Sequence, residues 1–192
     1  MTTMAIHITG DADADQVLTD SPFALLVGMM LDQQYPMEHA FRGPHKVLTR
    51  FGSIEPSAIA AADPEDFATL CSTPPAIHRY GRSMAARLQS LAALVDNEFQ
   101  GDASRIWTEA TSGKDLLDRV QALPGFGKQK SQIFVALLAK QLGVRPEGWE
   151  QAVGAYAEDG YRSVADVTDP ASLQKVRDFK KAKKAEAKEQ AG

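Results

Sequence analysis

The stretch Leu123-Pro124-Gly125-Phe126-Gly127-Lys128 decides the fold. Before it, Asp115 to Ala122 carries Leu116, Leu117 and Val120 at helical spacing. After it, Lys128 to Leu142 is apolar on Ser131, Phe134, Leu138 and Leu142, and Gly143 closes that helix. Two glycines one residue apart open backbone angles closed to other residues. The string therefore predicts a tight hairpin between two helices that lets another backbone come close. The second helix would begin with free N–H groups and the positive end of its dipole. That arrangement suits an anion such as a phosphate, and Lys128 and Lys130 add charge. An ordinary turn between packed helices is the alternative reading.

Outward from the hairpin the pattern stays helical. Ser21-Pro22 is a hydroxyl cap followed by proline at a first helical position, with Leu25, Leu26, Met29 and Met30 behind it. That helix is expected to end near Gln33-Gln34, before Pro36. A second runs through Met37, Ala40 and Phe41, is interrupted at Gly43-Pro44, and resumes on Val47, Leu48 and Phe51 up to Gly52. Asp63-Pro64-Glu65 starts another, and Arg79 to Val95 is long and amphipathic on Met84, Leu88, Leu91 and Val95. Ala5 to Thr9 reads as a short strand or an irregular lead-in, and residues 10–15 as a turn. Asp169-Pro170 opens a last helix on Leu173, Val176 and Phe179; beyond Phe179 the apolar face is gone and fraying is expected. The class is all-α. Residues 1–20 form a lead-in, 21–169 a helical domain, and 170–192 a C-terminal helix with a basic tail.

Composition narrows the function classes. At 192 residues, 44% hydrophobic and 24% charged, the chain is globular in balance. No run of about 18 apolar residues suggests a membrane span. The acidic N-terminus has no apolar core of the kind a signal peptide needs. The single cysteine, Cys71, forbids an internal disulfide and any all-cysteine metal site, so a reducing, cytoplasmic setting is the default, and Cys71 itself reads as buried packing. Net charge is −4, unevenly spread. Pro170 to Gly192 holds seven bases and three acids, leaving fourteen bases against twenty-two acids elsewhere. A basic tail on an acidic body suits a polyanion or is a solvated helix end. With no strong exposed apolar stripe, the expected state is a monomer.

The hairpin string between two such helices is similar to the helix-hairpin-helix motif. That motif grips a DNA phosphodiester through backbone amides, often with a bridging alkali ion. With Ser21-Pro22-Phe23-Ala24-Leu25-Leu26, then Leu31-Asp32-Gln33-Gln34, and the basic, alanine-rich Arg79 to Leu94, the chain resembles the HhH-GPD superfamily of base-excision DNA glycosylases. The likeness runs from about Ser21 to Tyr156. It implies a two-lobed all-α fold with double-stranded DNA crossing the mouth between lobes. It also implies a damaged base flipped into that cleft, since the glycosidic carbon is otherwise unreachable.

The chemistry-bearing positions depart from the family's pattern. Bifunctional members place a Schiff-base lysine two residues after the second hairpin glycine; here that position is Gln129, so no lyase activity is expected. Lys128 and Lys130 flank it but point about 100° away on a helix. Most members place an aspartate after the second hairpin helix. Counting without gaps points to Glu147, and matching the apolar pattern of Val153 and Tyr156 points to Glu150. Endonuclease III-like members hold an iron–sulfur cluster on four cysteines, which this chain lacks, so no cofactor is expected. Gln33 or Gln34 falls where members fill the gap left by the flipped base. Tyr35, Trp149 and Tyr156 are candidates to stack on that base or to belong to the core. His39, His45 and His78 have no metal spacing, and Arg79 and Arg82 touch phosphate or solvent. The expected function is a monofunctional DNA glycosylase. The alternatives are a noncatalytic lesion-binding protein on the same scaffold and an all-α interaction module that no longer touches DNA.

Overall fold

The structure, a computed structural model, describes residues 5–191. Among them there are eleven α-helices and no strand. Ala5 to Thr9 is an irregular lead-in, and α1 (Ala12–Asp20) follows where a turn was expected. The aspartates that suggested a turn do other work. The Asp11 side chain caps α1 by accepting from the Asp13 and Ala14 N–H groups. Asp15 is buried, and its Oδ1 accepts from the N–H of Ile8 (3.2 Å) and of Thr9 (2.9 Å) and from the Thr9 hydroxyl (2.8 Å). The lead-in is thereby drawn into the core, where Ile6 and Ile8 are buried.

The cap at Ser21 forms as its chemistry dictates: its hydroxyl accepts from Ala24 N–H at 3.0 Å at the start of α2 (Pro22–Leu31), which is buried almost throughout. α2 packs on α3 (Met37–Phe51), and Gly43-Pro44 does not interrupt α3. Gly43 is there for contact: a Cβ would lie 2.4 Å from Leu31 Cδ1. Gly28 on α2 answers it, since a Cβ there would lie 2.4 Å from Phe41 Cδ1. Pro44 costs the helix one backbone hydrogen bond, and the close apolar crossing offsets it.

α4 (Pro56–Ala61) and α5 (Pro64–Ser72) both pack on α6 (Gly81–Glu98), and α6 also touches α2. α7 (Arg105–Thr108) leads to a second group: α8 (Gly113–Gln121), α9 (Lys128–Leu142) and α10 (Trp149–Val153), followed by two 3-10 turns, Gly154–Ala157 and Val164–Asp166. α9 is the axis of this group, flanked by α8, α10 and both turns. The two groups are the two lobes, and one continuous core joins them. Phe134 of α9 meets Trp107 of α7 edge-on at 5.9 Å and Phe126 of the hairpin at 6.0 Å.

α11 (Pro170–Ala191) packs on the second 3-10 turn, with Val176 buried, and Arg177 pairs with the buried Glu38 at the start of α3. The helix continues past Phe179 to Ala191, where fraying was expected. From Lys181 onward its residues are exposed. Among the described residues no helix is long and apolar enough to cross a membrane.

Candidate nucleic-acid interface

The two hairpin glycines have different causes. Gly125 has φ +84°, and a Cβ there would meet Arg87 Cδ at 2.6 Å and Met30 Cγ at 3.2 Å, so the fold itself demands glycine. Gly127 has φ −78° and ψ −179°, a conformation open to any residue, and a Cβ there would meet nothing within 4 Å. Nothing inside the protein requires a glycine at that place. What its absence of a side chain leaves open is the approach to the first N–H groups of α9, which no side chain caps. Leu123 and Phe126 are buried and anchor the hairpin, while Gly127 and Lys128 are exposed.

Lys130 turns the other way, toward the end of α2. Its Nζ donates to the Met30 carbonyl at 2.8 Å and to Gln33 Oε1 at 3.3 Å. Burial pushes its amine down to about 8, with the nearby Asp32 opposing and Arg87 adding to the fall. Arg87 Nη1 reaches the same Gln33 Oε1 at 3.4 Å. His78, buried, holds the Gln33 backbone: its Nδ1 accepts from Tyr80 N–H at 3.0 Å, so Nε2 carries the proton and donates to the Gln33 carbonyl at 2.8 Å. Burial lowers the pKa of His78, which favours that neutral tautomer. Gln33 is thus tied from three sides. Its neighbour Gln34 is exposed and has φ 54°, a left-handed conformation that costs a non-glycine residue about 1 kcal/mol.

The remaining candidates fall in different places. Gln129 Nε2 donates to Tyr156 Oη at 2.9 Å. Glu147 follows the far end of α9, and its carbonyl accepts from Gly113 N–H at 2.8 Å, at the start of α8. Gly113 opens α8, whose nine residues put that bond about 13 Å along the helix from the hairpin. The chain then returns along α9, with Gln132 Nε2 donating to the Ala152 carbonyl at 3.1 Å. Tyr156, rather than a glutamate, is the side chain brought to Gln129. Glu147 and Glu150 are both exposed. Trp149 is buried in the core, with the Arg145 guanidinium 5.8 Å from its ring. Tyr35 lies 4.8 Å from the His78 ring, and His78 lies 5.8 Å from the half-exposed Tyr80. Arg79 is exposed, and Arg82 pairs with Glu65. His78 and Tyr80 carried no signal in the sequence, because what makes His78 important is a backbone carbonyl 45 residues away.

Cys71 is buried, and desolvation pushes its thiol up to about 12, which leaves it inert packing. An iron–sulfur cluster needs four thiolates, and this chain has one cysteine, so its residues do not fit that group.

Comparison with known proteins bears on the whole of this arrangement. A search of curated proteins found no match. Among solved structures, a trapped covalent intermediate of endonuclease III with DNA, in an estranged-adenine complex, is similar at 15% identity and a TM-score of 0.43, over 75% of this chain and 81% of that one. The family model for HhH-GPD superfamily base excision DNA repair proteins matches residues 27–191, which takes in α3 to α11, the hairpin and both glutamines. The chain belongs to the HhH-GPD superfamily of base excision DNA repair proteins.

Proposed function

We propose that the chain is a monofunctional DNA glycosylase that binds double-stranded DNA at the α8–α9 hairpin and hydrolyses the N-glycosidic bond of a flipped base. The observation that carries this reading is Gly127. It is a glycine that the fold does not need, placed where it uncovers uncapped helix N–H groups beside exposed Lys128. An ordinary turn explains Gly125 and leaves Gly127 without a cause. A phosphodiester pressed against α9 explains both. An alkali ion bridging hairpin carbonyls and phosphate is compatible with this arrangement.

Gln129 supports hydrolysis without lyase chemistry. Its amide nitrogen lone pair is delocalised into the carbonyl and does not add to a sugar aldehyde, and its N–H is already given to Tyr156. Gln34 is the better of the two plugging candidates. Both are exposed, but Gln33 is held by Lys130, Arg87 and His78, whereas Gln34 has no side-chain hydrogen bond among the described residues and sits on a left-handed backbone. Tyr35, packed on His78, is the aromatic assigned in this reading to stack on the flipped base. Glu147 and Glu150 are the carboxylates that the family pattern suggests.

A second reading, lesion binding without turnover, is favoured by Gln129 and by the exposure of both glutamates. Base release separates the two. Duplexes carrying uracil, an alkylated purine, an oxidised purine or a mispaired base are incubated with the wild type, Glu147→Gln and Glu150→Gln. Release by the wild type establishes the glycosylase. Tight binding of a lesion duplex with no release from any of them establishes the second reading.

A further inference from the structure

We propose that His78 is a positioning residue for the duplex-plugging glutamine: its neutral imidazole locks the peptide from which Gln34 is presented, and its protonation opens that lock. This rests on the reading above, in which Gln34 fills the gap left by the flipped base, and deepens it by naming what holds Gln34 in place.

Gln34 sits on a strained backbone. Its φ of 54° is left-handed, a conformation that only Gln100 shares among the described non-glycine residues. Such strain persists where the surroundings impose it, and the Gln34 side chain makes no bond that would. The peptide before it is imposed from outside. The Gln33 carbonyl and the Gln34 N–H belong to one planar unit, so fixing that carbonyl fixes the plane on which Gln34 turns. His78 Nε2 fixes it with a hydrogen bond of 2.8 Å, from 45 residues away.

The imidazole is held as firmly as it holds. It is 2% exposed, its ring centroid is 4.8 Å from that of Tyr35, and Nδ1 accepts from Tyr80 N–H at 3.0 Å. The two bonds give the two ring nitrogens opposite roles, so only the neutral ring with its proton on Nε2 satisfies both. A second proton has one place to go, which is Nδ1. It would set a donor against the Tyr80 N–H, and the ring would have to leave one partner or the other. The surroundings keep that proton off. Burial is the largest cause, opposed by the Gln33 carbonyl, then aided by Lys130 of α9 and Arg79 of the same loop, with the Leu31 carbonyl opposing again; the net is a pKa below the ordinary imidazole value. Among the carboxylates, Asp32 at the end of α2 is within range of the ring's charge. His39 of α3 stands one ring further out, 5.9 Å from Tyr35. The lock is therefore closed at neutral pH and opens in acid.

The test compares two duplexes that differ only in a tetrahydrofuran abasic analogue, a gap that Gln34 can fill and a plain duplex lacks. Affinities are measured from pH 7.5 down to pH 5 at fixed ionic strength. Their ratio cancels the general gain in phosphate attraction that acid brings. The wild type should favour the gapped duplex by about tenfold at pH 7.5 and lose that preference as pH falls through the lowered pKa of His78. Gln34→Ala should lack the preference at every pH. His78→Gln carries one donor and one acceptor that do not titrate, so it should keep a preference that no longer changes with pH. His78→Phe, a ring without nitrogens, should lack it throughout, and His39→Gln should leave the wild-type profile intact. A wild-type preference that is flat with pH, a profile unchanged in His78→Gln, or one abolished in His39→Gln instead overturns the assignment. A preference indifferent to Gln34→Ala, or equal binding of both duplexes at pH 7.5, overturns the plugging role on which it rests. Failure of the wild type to bind either duplex overturns the glycosylase reading itself.

Discussion

At its C-terminal end α9 is closed by its own chain. The Gly143 and Val144 N–H groups return to the Leu138 carbonyl, and Arg145 Nε donates to the Ala139 carbonyl at 3.1 Å. Gln141 Nε2 is shared among the carbonyls of Val164, Ala165 and Val167, and Lys140 Nζ reaches both the Glu158 carbonyl and Asp166 Oδ1 at 2.8 Å. At its N-terminal end the same helix has no side-chain cap, an exposed Gly127 and exposed Lys128 and Gln129. One helix therefore carries an end tied to the rest of the chain and an open end. Backbone groups are ordinarily paired in folded proteins. The end left uncapped is the one built to receive something, and the end tied back to its own chain is holding the fold.

Breaking the closed end should cost the most stability. Lys140 and Asp166 are both largely buried, and Lys140→Met leaves an uncompensated carboxylate. A loss of about 3 kcal/mol is expected from urea unfolding, with duplex affinity unchanged in the folded protein. Gly125→Ala comes next: its left-handed φ and its contacts with Arg87 and Met30 predict about 1–2 kcal/mol of lost stability together with weaker duplex binding. Replacing Lys181, Lys183, Lys184 and Lys188 with Gln should leave stability alone and flatten the salt dependence of duplex binding, by up to about 0.9 in slope for each phosphate that is no longer neutralised. The smallest effect concerns Lys130. Its folded pKa, about 8, is below that of an ordinary lysine. Between the two values the unfolded chain binds more protons, so this group's contribution to stability rises with pH over that window. Urea midpoints at pH 7.5 and 9.5 should show that rise in the wild type and less of it in Lys130→Gln.

The open end was legible in the sequence because local chemistry makes it: glycine spacing, flanking amphipathic helices and adjacent lysines. The caps at Ser21 and Asp63 were legible for the same reason. α1 was not, since Asp11 and Asp15 look like turn formers until Ile8 and Thr9 are seen donating to Asp15. Gly43-Pro44 looked like a break because its cause, the side chain of Leu31, belongs to another helix. α4 and α7 are too short to show a period. Within the site, the glutamine pair could be found but not resolved. The groups that hold Gln33 are Lys130, Arg87 and His78, which lie 97, 54 and 45 residues away.

The most direct test of the contrast is Gly127→Ala, read by urea unfolding and by titration with a plain duplex at several salt concentrations. An alanine there meets open space, so stability should stay within about 1 kcal/mol of the wild type. Its methyl stands over the first N–H groups of α9, so duplex affinity should fall by about tenfold or more. Full affinity in a folded Gly127→Ala would show that the open end of α9 is not where DNA is held.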